Sequence, residues 1–81
     1  PGYTIPVLIQ LAILGSPKKR MTLGGIIEAL ENRFEWYRER KEEKDTAWKG
    51  SVRHSLSLER CFRKVQRPVT EIGKGHYWTV D

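Results

Sequence analysis

The 81-residue chain has one cysteine, Cys61, so no internal disulfide can staple it. One thiol and two histidines, His54 and His76, also fall short of a structural zinc site, which usually takes four Cys/His ligands at close spacing. No apolar run is long enough to cross a bilayer, and the longest, Ile5–Leu14, contains Pro6 and Gln10. No signal-peptide pattern stands at the start, so no membrane partner is expected. Nucleophile elbow, metal ligand set and phosphate loop are all missing, so neither catalysis nor a cofactor is expected. The lone cysteine fits a reducing compartment.

At this length the chain is one domain, residues 1–81, expected as a piece of a longer protein. Its stability must come from packed apolar side chains. These make up 38% of the residues and include three Trp, three Tyr and two Phe. Lys and Arg number 15 against 10 acids, a net charge of +5. The excess is uneven: residues 1–47 hold 8 bases and 7 acids, whereas residues 48–81 hold 7 bases and 3 acids. A positive field in the second half suits a polyanionic partner.

Thr4 can cap a first helix whose opening turn tolerates Pro6. Val7, Leu8, Ile9, Leu11, Ala12, Ile13 and Leu14 put apolar groups on nearly all its sides, which predicts burial on most of its surface. Gly15-Ser16-Pro17 ends it, and Lys18-Lys19-Arg20 follows as a basic turn or a backbone contact. Thr22 caps a second helix over about Leu23 to Phe34, with Met21 and Ile26 placed as a hydrophobic staple. Leu23, Ile26, Ile27, Leu30 and Phe34 supply its apolar stripe. Trp36 and Tyr37 are expected in the core. The charged run from Arg38 to Asp45 reads as a solvated loop or frayed helix.

A third helix opens near Thr46 or Ala47. Trp48, Val52 and Leu56 stand four apart and, at 100° per residue, form an inward arc centred on Val52. Gly50 and His54 fall opposite that arc, with Lys49, Arg53 and Ser57 on the flank. This places a cation and an imidazole outward by geometry alone. Cys61 reads as a small buried hydrophobe.

Phe62 to Arg67 and His76 to Val80 read as two strands, separated by loop residues Pro68, Gly73 and Gly75. Trp78 can pack its ring while its indole N–H donates outward. The layout is α+β: a winged helix, with a three-helix bundle, a small antiparallel sheet and a β-hairpin wing.

The segment Trp48-Lys49-Gly50-Ser51-Val52-Arg53-His54-Ser55-Leu56-Ser57-Leu58, with Cys61-Phe62-Arg63-Lys64-Val65 after it, closely resembles the recognition helix of forkhead domains. Gly73-Lys74-Gly75-His76-Tyr77-Trp78 resembles the end of their wing, and Tyr3-Thr4 with Leu8-Ile9 and Ala12-Ile13 their first helix. Met21-Thr22-Leu23 and Phe34 with Trp36-Tyr37-Arg38 resemble the second. The resemblance implies a nuclear transcription factor's DNA-binding domain, acting on double-stranded DNA as a monomer, with helix 47–57 in the major groove. It implies that His54 reads bases and that Arg53 supports it through base or phosphate contacts. Lys49, Gly50 and Ser51 share the DNA-facing helix. Ser57 and Tyr3 would approach phosphates, and Lys74, Gly75 and Trp78 would touch the backbone from the wing. Some family members hold a cation through main-chain carbonyls just after this helix, which would fall near Leu56, Ser57, Glu59 and Phe62.

The chain departs from the family pattern in three places. Gly50 stands where the family has a base-reading Asn, Ser55 replaces a second Asn, and the loop ahead of Trp48 is longer. The first departure predicts altered or relaxed site preference. It also keeps two alternatives open: a weakly selective DNA binder of the linker-histone kind, and a winged helix used for protein–protein contact.

Overall fold

A computed structural model describes residues 2–40, 47–73 and 75–81. The element order is α1 (Ile5–Leu14), β1 (Met21–Thr22), α2 (Leu23–Arg33), α3 (Glu35–Glu39), α4 (Ala47–Leu58), β2 (Phe62–Val65) and β3 (Tyr77–Val80). The fold is the expected α+β winged helix, with one short helix and one short strand beyond the sequence reading.

Helix α1 begins as predicted, with Pro6 in the first turn and Thr4 extended, but the Thr4 hydroxyl makes no capping bond. Its C-terminal carbonyls are closed by side chains from the turn that follows. Ser16 Oγ donates to the Ile13 carbonyl at 2.6 Å, and Lys19 Nζ to the Leu14 carbonyl at 2.6 Å. A cation there also complements the negative end of the helix dipole. Lys19 itself takes a positive φ of 56° to make this turn.

Thr22 is the cap of α2, its Oγ1 accepting from the Gly25 N–H at 3.1 Å. At the far end the chain bends through Phe34, which is extended. Arg38 then reaches back from α3, donating through Nε to the Glu31 carbonyl at 3.2 Å and through Nη2 to that of Asn32 at 2.8 Å. One guanidinium thus satisfies carbonyls that a helix end would otherwise leave open. Arg38 belongs to the charged run read as solvated. The part of that run over 41–45, and Thr46 as a candidate start of the next helix, lie outside the described residues.

The core joins Leu8, Ile9 and Ile13 of α1, Ile26 and Leu30 of α2, Tyr37 of α3, Trp48, Val52 and Leu56 of α4, and Phe62 of β2. Leu23, Ile27, Phe34, Cys61 and Trp78 pack against it half-buried. Two expectations are corrected. Helix α1 is not buried on most sides: Val7, Leu11 and Leu14 are exposed, the last two by 45% and 48%. A domain this small has neighbours for only one side of a helix. Trp36 is 43% exposed rather than in the core, because it precedes Tyr37 by one helical position and the two cannot face the same way.

The sheet is antiparallel with order β1-β3-β2. Strand β3 is central, pairing Trp78 with Met21 on one side and with Lys64 on the other. The strands are shorter than predicted, since pairing stops at Val65 and Tyr77. Residues 66–73, 75 and 76 lie outside the sheet, in the wing loop.

Ile26 is fully buried whereas Ile72, in the wing, is 99% exposed. Ile26→Ala should therefore destabilise the domain by about 2–5 kcal/mol. Ile72→Ala should stay within about 0.5 kcal/mol. Denaturant melts of the two variants check this, and equal losses would contradict the packing described.

Candidate nucleic-acid interface

The rotation of α4 decides the interface. Trp48, Val52 and Leu56 point into the core, so Gly50, Arg53, His54 and Ser57 all lie exposed on the other side. Neither Arg53 nor His54 makes an ion pair or side-chain hydrogen bond among the described residues. A guanidinium with five donors and an imidazole thus face outward with no partner among the described residues. The Ser51 hydroxyl is turned back to the Ala47 carbonyl at 3.3 Å, so its donor is used within the helix.

Lys49 is different. Its Nζ lies 3.9 Å from Glu31 Oε2 and 5.8 Å from the centre of the Trp48 ring. Glu31 is a buried carboxylate on α2, 8% exposed. Sequence reading missed it, although its position could have been inferred. It stands four residues after Ile27 and three before Phe34, on the inward stripe of α2.

The start of α4 is held by aromatic packing. Trp48 lies against Tyr37 with ring centroids 4.4 Å apart, and Tyr37 meets Trp36 and Phe34 edge-on at 4.9 and 6.1 Å. Burial pushes the Tyr37 phenol above its ordinary pKa. Phenol titration therefore plays no part in the site near neutral pH.

Tyr3 stands exposed ahead of α1. Gly75 lies in the wing with a φ of +86°, a conformation suited to glycine. Trp78 is half-buried in β3, its ring 5.6 Å from Lys64 Nζ. Lys74 lies outside the described residues. No hydrogen bond or ion pair among the described residues ties Tyr3 or the wing to α4.

The turn after α4 is built from backbone bonds, Glu59 N–H to the Ser55 carbonyl at 2.9 Å and Phe62 N–H to the Glu59 carbonyl at 3.3 Å. The Glu59 carbonyl is thereby engaged within the turn. Among the described residues no group of His, Cys, Asp and Glu side chains could hold a metal ion.

In the turn Lys18-Lys19-Arg20, Lys19 and Arg20 have intramolecular partners. Lys19 closes α1, and Arg20 lies 4.5 Å over the Tyr77 ring and 3.7 Å from Glu71.

The model for the family described as the Forkhead domain matches residues 1–81. Forkhead box protein F1 of Homo sapiens is 46% identical over 81 residues, covering all of this chain and 20% of that protein. Forkhead box protein I1 of Homo sapiens is 43% identical over the same span, again 20% of its length. Forkhead box protein F2 of Mus musculus is 46% identical, with 17% of its length covered. The chain therefore spans about a fifth of the relatives it matches.

A Cβ added at Gly50 would meet nothing within 4 Å. Gly50→Ala should therefore stabilise the domain by about 0.5–1 kcal/mol through helix propensity alone. Thermal or denaturant unfolding measures this. A loss of stability would mean that the outer face of α4 is not open at this position.

Proposed function

The chain belongs to the forkhead family, and on that premise we propose that it binds double-stranded DNA as a monomer, as the DNA-binding domain of a nuclear transcription factor. The carrying observation is the outer face of α4, where Arg53 and His54 are exposed, with no ion pair among the described residues, opposite the buried Trp48–Val52–Leu56 stripe. A helix with such a face fits the major groove, whose base edges offer acceptors to guanidinium and imidazole donors. His54 reads bases, and Arg53 contacts bases or phosphates beside it. Ser57 and Tyr3 donate to phosphates, as do Lys74, the Gly75 backbone and Trp78 from the wing. Ser51 contributes little donation of its own, being bonded to Ala47. Lys49 reaches DNA only by leaving Glu31.

Gly50 sets the selectivity. An Asn at this place can contact adenine with both its donor and its acceptor, and glycine has neither. The domain therefore has an altered or relaxed site preference, with His54, Arg53 and Lys49 left to read. The bare exposed Gly50 also favours a second reading, weakly selective binding driven by shape and charge.

Three measurements bear on these roles. Residues 48–81 carry 7 bases against 3 acids; neutralising four phosphates at a slope of about −0.9 each would weaken binding on the order of 100-fold between 50 and 200 mM salt. Affinity that ignores salt would contradict a phosphate-dominated interface. His54→Ala should cut discrimination between specific and random duplexes by about 1–3 kcal/mol while leaving the melting temperature nearly unchanged. Unfolding without loss of selectivity would make His54 structural. Gly50→Asn should sharpen preference for forkhead-type sites by about 1 kcal/mol or more. An unchanged ratio of specific to random affinity would show that the glycine does not limit readout.

A further inference from the structure

Among its described residues the wing loop has no apolar anchor. None of its described residues between 66 and 76 is buried, and Val69 and Ile72 are almost wholly exposed. Its shape must come from polar contacts, and these converge on Arg67. The Arg67 guanidinium turns back along the loop that it opens. Its Nε donates to the Gly75 carbonyl at 3.3 Å and its Nη1 to the Ile72 carbonyl at 3.2 Å. The loop is folded closely around this group. A Cβ at Gly73 would lie 2.5 Å from Nη1, and the φ of +136° at Gly73 is itself glycine's. The same guanidinium lies 5.1 Å over the Tyr77 ring. The Tyr77 hydroxyl donates to Glu71 Oε1 at 3.3 Å, and Glu71 pairs with Arg20.

We propose that Arg67 is a positioning residue for the wing. Its planar fork joins the carbonyls of Ile72 and Gly75 and holds Ile72, Gly73 and Gly75 in the arrangement that meets the DNA backbone. The inference rests on the DNA-binding reading above. The role belongs to the fork rather than to the charge, because two N–H groups must reach two carbonyls from one rigid plane. An ammonium offers a single point of donation on a flexible stem. Gly73 is the counterpart that leaves room for the guanidinium.

Arg67→Lys keeps the charge and loses the fork, and Arg67→Gln loses both. The melting temperature shows that each variant is folded, which is expected since Arg67 lies outside the core. Two readouts then decide. In the free protein, backbone order parameters at Gly73 and Gly75 should fall in both variants from near the rigid value of about 0.85 towards the flexible range below about 0.6. On a duplex, both should lose affinity by several-fold and flatten the slope of log affinity against log salt by about one unit. Lysine behaving like wild type in both readouts would overturn the proposal, since Arg67 would then act as a point charge. Unchanged order at Gly73 and Gly75 in both variants would overturn it equally. If the unmodified domain bound no duplex, the DNA-binding reading itself would fall. The order parameters of the free protein would still report the clamp separately.

Discussion

Burial of the Trp48–Val52–Leu56 stripe is the constraint on which the rest depends. Val52 is wholly buried, and a helix turning 100° per residue then has no choice about where His54 and Gly50 go. The outer face of α4 is a consequence of its inner one. Tyr37 beneath Trp48, and Phe34 and Trp36 around Tyr37, fix the start of the helix. Leu8, Ile9 and Ile13 of α1 complete the base on which it rests. The base reading proposed for α4 needs that rigidity, because hydrogen bonds to base edges tolerate little misplacement.

The wing is held by different forces. Its strands are fixed to the core through Phe62, Trp78 and Val80, but beyond Val65 and Tyr77 apolar packing ends. From there, guanidinium-to-carbonyl bonds, two arginines against Tyr77, and Glu71 hold the chain. Lys49 and Glu31 show the same economy at the edge of α4, where a basic side chain of the proposed interface is already engaged by an acid of the scaffold. Basic residues here divide between building the fold and facing outward, so net charge overstates what is available to a polyanion. Arg53 faces outward with no ion pair among the described residues; Arg20, Arg38 and Arg67 are committed.

Much of this was legible in the sequence because it is periodic. The stripes of α2 and α4, the Thr22 cap and the outward phase of His54 all follow from local spacing. Helix α3 and strand β1 were not legible, since five and two residues hold too little period to register. Hydrophobicity alone points both Trp36 and Tyr37 inward, yet adjacent helical positions diverge by 100°, and only Tyr37 is buried. The same holds for Leu11 and Leu14, apolar yet exposed. Arg67 and Arg20 depend on contacts made across the wing and the turn after α1, which no local pattern encodes. The nature of the site was carried by the match of residues 48–58 to the forkhead pattern, and Gly50 stood out only against that pattern.

The outer face of α4 is proposed to read sequence in double-stranded DNA. Selection of bound duplexes from a random pool, run at moderate salt, is the sharpest test. An enriched motif is expected, looser or shifted at the base pair that an Asn at position 50 would contact. Salt-sensitive binding with no enrichment, or no binding at all, would contradict it.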